Sequence, residues 1–163
     1  MTDDQIVASI IKAEGEKFTW DKKRGDPPTK FGITLATLTG WRNRPTTVDD
    51  VKNLQRPEAE AIYRSIYIAP AAMLPEPLRE TVIQINVLRG RRSGIMMLQG
   101  MLAVDVDGWV GKQTLGIVEK VGALRVNNLM CGGMLQHFAL QVKSKPQKKG
   151  YHVGWRDRFL RLY

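Results

Sequence analysis

An acid at the end of an amphipathic helix, followed by a loop of acids, threonines and aromatic rings, is the stretch of this sequence best equipped for chemistry. Glu14 shares a stripe with Val7, Ile10 and Ile11, because the spacing 7, 10, 11, 14 follows the helical period. An acid so placed is expected on the core side of the last helical turn. There, burial and the negative end of the helix dipole both disfavour the carboxylate. Both effects raise the pKa, which suits a general acid working near neutral pH. A surface glutamate at a frayed helix end is the plainer reading of the same pattern. Asp21, Asp26, Thr29 and Thr34 follow, interleaved with Phe18, Trp20 and Phe31. Two carboxylates flanking a glycosidic bond are the usual equipment of sugar hydrolysis: one protonates the leaving oxygen, the other activates water or steadies positive charge. Aromatic rings beside them suit the apolar faces of sugars, although a packed hairpin core accounts for any single ring equally well.

The elements that must position these groups are helical almost throughout. Thr2 and Gln5 form a capping-box pattern at the start of the first helix, and Gly15 ends it. Residues 16–33 differ in texture, with charges, adjacent prolines and glycines, and read as a loop with a small β-hairpin through 18–20 and 30–33. Thr34 is placed to cap a helix through Trp41, and Thr47 with Asp50 another short one. Pro57 suits the first turn of a helix over 58–67. Further helices are expected over the apolar segment ending at Leu88, then over 95–102, 113–121, 123–142 and 155–162, with residues 143–150 as a basic loop. The fold class is mainly α.

Composition narrows the partners. The 163 residues carry 25 Lys+Arg against 16 Asp+Glu, a formal charge of +9, and the pI is near 9.9. An anionic partner is therefore favoured: nucleic acid, an acidic membrane surface, or a wall polymer bearing carboxylates and phosphates. The basic runs at 22–24, 89–92 and 143–149 would hold such a surface with salt-sensitive affinity, or serve only as solvated faces. Cys131 is the only cysteine, which excludes an intramolecular disulfide and a cysteine-based zinc site. Asp105 and Asp107 before Gly108 supply too few ligands for a calcium loop, so no metal is expected. His137 falls with Met130 and Met134 on an apolar face, and His152 lies beside Tyr151 and Trp155. The opening Met1-Thr2-Asp3-Asp4 has neither the basic start nor the apolar run of a secretory signal peptide.

Several motifs, in order and spacing, resemble the N-acetylmuramidases of glycoside hydrolase family 108. They are Glu14-Gly15, then Thr29-Lys30-Phe31-Gly32-Ile33-Thr34-Leu35, then Ala61-Ile62-Tyr63-Arg64-Ser65-Ile66-Tyr67 and Leu98-Gln99. Asp107-Gly108-Trp109-Val110-Gly111-Lys112-Gln113-Thr114-Leu115 looks like the peptidoglycan-binding portion of that family, and Gly154-Trp155-Arg156-Asp157-Arg158 like its close. The chain departs from the family hallmark at Glu16-Lys17 and at Asp26-Pro27, where relatives carry glycines and a tyrosine. A more distant parallel with phage lysozymes matches the Glu14 to Thr29 spacing but puts Lys23 in the aspartate's place.

The resemblance implies a lysozyme-like helical fold, with a catalytic region over 1–90 and a helical peptidoglycan-binding region over 91–163. It implies cleavage of the β-1,4 bond between N-acetylmuramic acid and N-acetylglucosamine, with Glu14 as catalytic acid assisted by Asp21 or Asp26 and by Thr29. Phe18, Trp20, Phe31, Gly32, Thr34, Trp109, Tyr151 and Trp155 are the candidate substrate contacts. No cofactor is implied. The expected partner is the glycan strand of peptidoglycan, met by a monomer in the periplasm or wall after release or unconventional export. A non-catalytic glycan-binding relative is the alternative. Nucleic acid is not expected, since no DNA-binding signature accompanies the charge.

Overall fold

The computed structural model describes residues 1–23, 25–144 and 149–163, and within 149–153 the backbone alone. Its contacts divide the chain into two compact units, Met1–Ala69 and Pro70–Tyr163. Among the described residues no helix is long and apolar enough to cross a membrane.

The first unit holds α1 (Asp3–Glu14), β1 (Thr29–Lys30), β2 (Ile33–Thr34), α2 (Leu35–Arg42), α3 (Val48–Lys52), α4 (Arg56–Ile62) and a π-helical turn, Tyr63–Ile68. Its helix starts follow local chemistry. Thr2 accepts from the Gln5 amide while Gln5 accepts from the Thr2 amide, and Thr47 and Asp50 repeat that reciprocal arrangement. Each box satisfies donors that a helix start leaves open. α1 buries Ile6, Val7, Ile10 and Ile11 completely or nearly so, each contributing about 1.5–3 kcal/mol.

The hairpin differs from expectation. β1 pairs antiparallel with β2, Thr29 opposite Thr34 and Lys30 opposite Ile33, across a turn of Phe31 and Gly32. Both turn residues have positive φ, 54° and 76°, as a tight two-residue hairpin turn requires. Residues 18–20 contribute only Thr19, which exchanges two backbone hydrogen bonds with Thr29, of 2.8 and 2.9 Å. The strand partner was misplaced because Phe31-Gly32, a turn, reads in sequence as strand interior.

The second unit holds α5 (Leu78–Arg89), α6 (Ser93–Met101), α7 (Lys112–Val121), α8 (Ala123–Ser144) and α9 (Lys149–Leu162). α5 and α6 approach closely at Gly94: a Cβ there would strike the Val82 carbonyl, and the Gly94 amide donates to Asn86 Oδ1 at 2.8 Å. α9 packs on α8, with the Phe138 and Phe159 rings 5.7 Å apart. It begins at Lys149, six residues earlier than the expected start at Trp155, so the basic stretch is helical at both its ends. Arg24 and residues 145–148 lie outside the described residues, as does the side chain of Tyr151.

Candidate active site

Glu14 is the last residue of α1. Gly15 follows with φ 85° and donates its amide to the Ile11 carbonyl at 2.9 Å. The Glu14 side chain is exposed, which corrects the expectation that it faces the core. The apolar stripe is buried as far as Ile11, and the helix ends before that face continues inward. The stem of Glu14 is nevertheless held. A Cβ built on Gly32 would lie 2.7 Å from Glu14 Cγ, 2.9 Å from Glu14 Cβ and 2.5 Å from Tyr63 Oη. Gly32 is thus the point where the end of α1, the hairpin turn and the π-helical turn meet. Both its positive φ and the absence of room demand glycine.

Tyr63 and Tyr67 complete this corner, and sequence reasoning named them only as part of a resemblance. The buried Tyr63 donates its hydroxyl to the Phe31 carbonyl at 2.8 Å, fixing the turn. Tyr67 is half-buried, its ring centroid 5.5 Å from that of Tyr63 at an interplanar angle of 40°. Burial raises the Tyr67 phenol above its ordinary value; a hydrogen bond with Thr37 works the other way, and the charge of Glu14 adds to the rise. The signal available in sequence was the Tyr63/Tyr67 spacing of four on a helix ending near the hairpin.

The other candidates divide. Asp21 and Asp26 are exposed on the loop that the Thr19–Thr29 bridge closes. Asp21 Oδ1 accepts from the Lys23 amide at 3.0 Å, and the Asp26 amide donates to the Asp21 carbonyl at 3.0 Å, so one turn carries both acids. Thr29 donates its hydroxyl to the Pro27 carbonyl at 2.9 Å. Thr34 caps α2: its Oγ1 accepts from the Thr37 amide and lies 3.1 Å from Thr37 Oγ1. Phe31 is buried, 6% exposed, which makes it a core ring rather than a sugar platform. Phe18 is half-buried. Trp20 is exposed, with the Lys22 ammonium 4.0 Å over its ring.

In the second unit Trp109 is 59% exposed and carries the Arg92 guanidinium 3.4 Å over its ring. Its turn is set by Gln99, whose Nε2 donates to Asp107 Oδ1 at 2.7 Å and to the Trp109 carbonyl at 2.9 Å, while its Oε1 accepts from the Gly108 amide at 2.8 Å. Gln99 and the Trp109 amide hold the Asp107 carboxyl below its ordinary value. That acid therefore organises a turn. Trp155 is half-buried under the Arg158 guanidinium at 3.9 Å. Cys131 is fully buried. Among the described residues no group of three or more His, Cys, Asp and Glu side chains is placed to hold a metal ion.

Comparison with known proteins adds the following. The family model for glycosyl hydrolase 108 matches residues 7–90, just over half of the chain and inclusive of Glu14. The solved structure of Brucella abortus SagA superposes with a TM-score of 0.82 at 29% sequence identity, covering 98% of this chain and 90% of that one. The mainly α, lysozyme-like fold is shared with it. No curated protein matches.

Proposed function

The chain belongs to the glycosyl hydrolase 108 family, and from that premise we propose that it cleaves the β-1,4 bond between N-acetylmuramic acid and N-acetylglucosamine in peptidoglycan, with Glu14 as the general acid. Family membership supports glycoside hydrolysis, and peptidoglycan hydrolysis in particular; the bond and the acid are the finer reading. The observation that carries it is the setting of Glu14 within the matched span. Its stem is clamped between the hairpin turn and Tyr63, while the residue as a whole is exposed to a polymer that cannot enter a closed pocket.

In this reading the Glu14 carboxyl gives its proton to the glycosidic oxygen as the bond to the anomeric carbon breaks. Asp21 or Asp26, on the loop closed by the Thr19–Thr29 bridge, steadies the oxocarbenium-like centre or takes the proton of the attacking water. Thr29 supports that loop through Pro27. Trp20 and Phe18 supply apolar contact beside the acids, and Trp109 and Trp155, each with an arginine on its ring, bind glycan in the second unit. The net positive charge favours the anionic wall. The site of action is the periplasm or wall.

The test is release of soluble fragments from purified peptidoglycan by the wild type and by Glu14→Gln, Asp21→Asn and Asp26→Asn. Glu14→Gln should lose about 10²–10⁴-fold in rate, and one aspartate variant should fall far more than the other. Undiminished release by Glu14→Gln overturns the assignment. Sedimentation onto the wall without release by the wild type identifies a binding relative instead.

A further inference from the structure

The second unit holds one cation firmly without using it. Arg92 stands at the start of α6 with a left-handed backbone, φ 65°, which an arginine rarely adopts. Its stem runs along Gly108: a Cβ built there would lie 3.4 Å from Arg92 Cδ, 3.6 Å from Arg92 Cβ and 3.5 Å from Met96 Cγ. The guanidinium then lies on the exposed Trp109 ring, its Cζ 3.4 Å from the ring centroid. The arginine is thus fixed by packing before any ligand arrives, which lowers the ordering cost of binding.

Among the described residues nothing accepts a hydrogen bond from this guanidinium. Arg92 Nε is shielded from water and has no partner. The two Nη groups have none either, and they reach solvent. Asp107 feels the Arg92 charge but forms no ion pair with it; its Oδ1 is taken by Gln99 Nε2 at 2.7 Å and the Trp109 amide at 2.8 Å. The other arginine stacked on a tryptophan differs, since Arg158 donates to Gln84 Oε1 at 3.3 Å. Arg42, Arg56 and Arg64 each meet a carboxylate. Arg89 and Arg91, close by in the chain, are exposed and also lack a carboxylate partner among the described residues, so they add to the positive field.

Stacking occupies the face of a guanidinium and leaves its N–H bonds in the plane, where the two Nη groups match the two oxygens of a carboxylate. The covered face of the indole is closed to a sugar ring. We propose that Arg92, braced on Trp109, is a binding site for a free carboxylate of the peptide stem of peptidoglycan. This rests on peptidoglycan being the polymer on which the chain acts. In an intact strand the sugars carry no charge, because the muramic acid carboxyl is spent in the amide to its stem. The stem supplies the anions, so this site distinguishes stem-bearing strands from bare glycan, and the rest of the exposed indole is left for the strand itself.

The test titrates the full chain with a disaccharide-tetrapeptide muropeptide, with the same muropeptide after amidation of its carboxylates, and with the peptide-free disaccharide. The NMR signal of the Trp109 indole N–H reports binding at this site apart from the active site. Arg92→Asn, which suits a left-handed backbone, should weaken muropeptide binding about tenfold or more. Amidation should cost the wild type a similar factor and cost Arg92→Asn nothing further. Arg92→Lys keeps the charge without the fork and should recover only part of the loss. Arg161→Gln, which removes one positive charge from α9, should bind as the wild type does. Equal binding by Arg92→Asn and the wild type overturns the proposal, as does an equal loss in Arg161→Gln, which would mean attraction by net charge alone. Equal binding of the peptide-free disaccharide overturns the stem assignment. Should Arg92→Asn fail to fold, undiminished binding by Arg92→Lys overturns the fork. No muropeptide binding by the wild type also overturns the proposal, and fragment release from whole peptidoglycan then decides separately whether the hydrolase reading stands.

Discussion

The two units satisfy their polar groups in opposite ways. In Met1–Ala69 the charged ties lie at the rim: Arg42 forks onto Glu58 with two bonds of 2.8 Å and reaches Asp50 at 2.6 Å, joining α2, α3 and α4, and Arg56 ties Glu16 to α4. In Pro70–Tyr163 the uncharged ties are internal. The buried polar residues among those described, Thr81, Gln84, Asn86, Gln99, Thr114 and Asn127, all belong to it. Thr81 donates to Asn127 at 2.6 Å, and Asn127 donates to the Leu162 carbonyl at 2.7 Å. The first unit keeps an acid exposed on a clamped stem and braces the surrounding short elements with charge. The second fixes turns and helix contacts with amides that water cannot reach. Salt should therefore act on the first more than on the second.

The largest stability effect should come from Gln99→Leu. It leaves the Gly108 amide and the Trp109 carbonyl without their internal partner, a loss of about 2–4 kcal/mol by urea denaturation. That loss should persist in 1 M salt, because no charge pair is involved on the Gly108 and Trp109 bonds. Next is Gly32→Ala, which adds a methyl where Tyr63 Oη and Glu14 already sit, at positive φ. About 2–3 kcal/mol is expected, with activity falling further than stability because the Glu14 stem is displaced. Equal losses of both would mean that the corner serves stability alone.

Smallest is Arg42→Ala, at about 1 kcal/mol, shrinking in 1 M salt, where the Debye length is about 3 Å. Its acid dependence has a definite sign. The Arg42 guanidinium holds the Glu58 carboxyl below its ordinary value of 4.5, and hydrogen bonds from Thr47, with Arg44 and Arg42 beside it, lower Asp50. Their contribution is present above the ordinary carboxylate range and is lost as pH falls through the lowered folded values. Thermal unfolding from pH 7 to pH 3 should show an acid loss in the wild type that Arg42→Ala reduces. An acid slope unchanged by the substitution would remove charge bracing from the account of the first unit.

What sequence made legible follows the same division. Caps were readable because they are local: Thr2 with Gln5, Thr34, Thr47 with Asp50, and Gly15 as a stop all depend on a few neighbouring residues. Contacts across the chain were not. The burial of Phe31 and the exposure of Glu14 are decided by where α1 ends against the hairpin, which periodicity along one helix does not contain. The π-helical turn at Tyr63 leaves no composition signal, since the same residues would form an ordinary helix. Gln99 looked like part of a resemblance only, because the turn residues it holds, Asp107, Gly108 and Trp109, lie eight to ten positions further on. Of the site, Glu14 and its loop were found by residue type; Gly32, Tyr63 and Tyr67 became legible as a corner only in three dimensions.

The central claim is that Glu14 protonates the bond on the muramic acid side. Its most direct test is mass spectrometry of borohydride-reduced fragments from purified peptidoglycan treated with the wild type and with Glu14→Gln. The account predicts reduced N-acetylmuramic acid ends from the wild type and none from Glu14→Gln. Reduced N-acetylglucosamine ends, or the same muramic acid ends from both proteins, would contradict it.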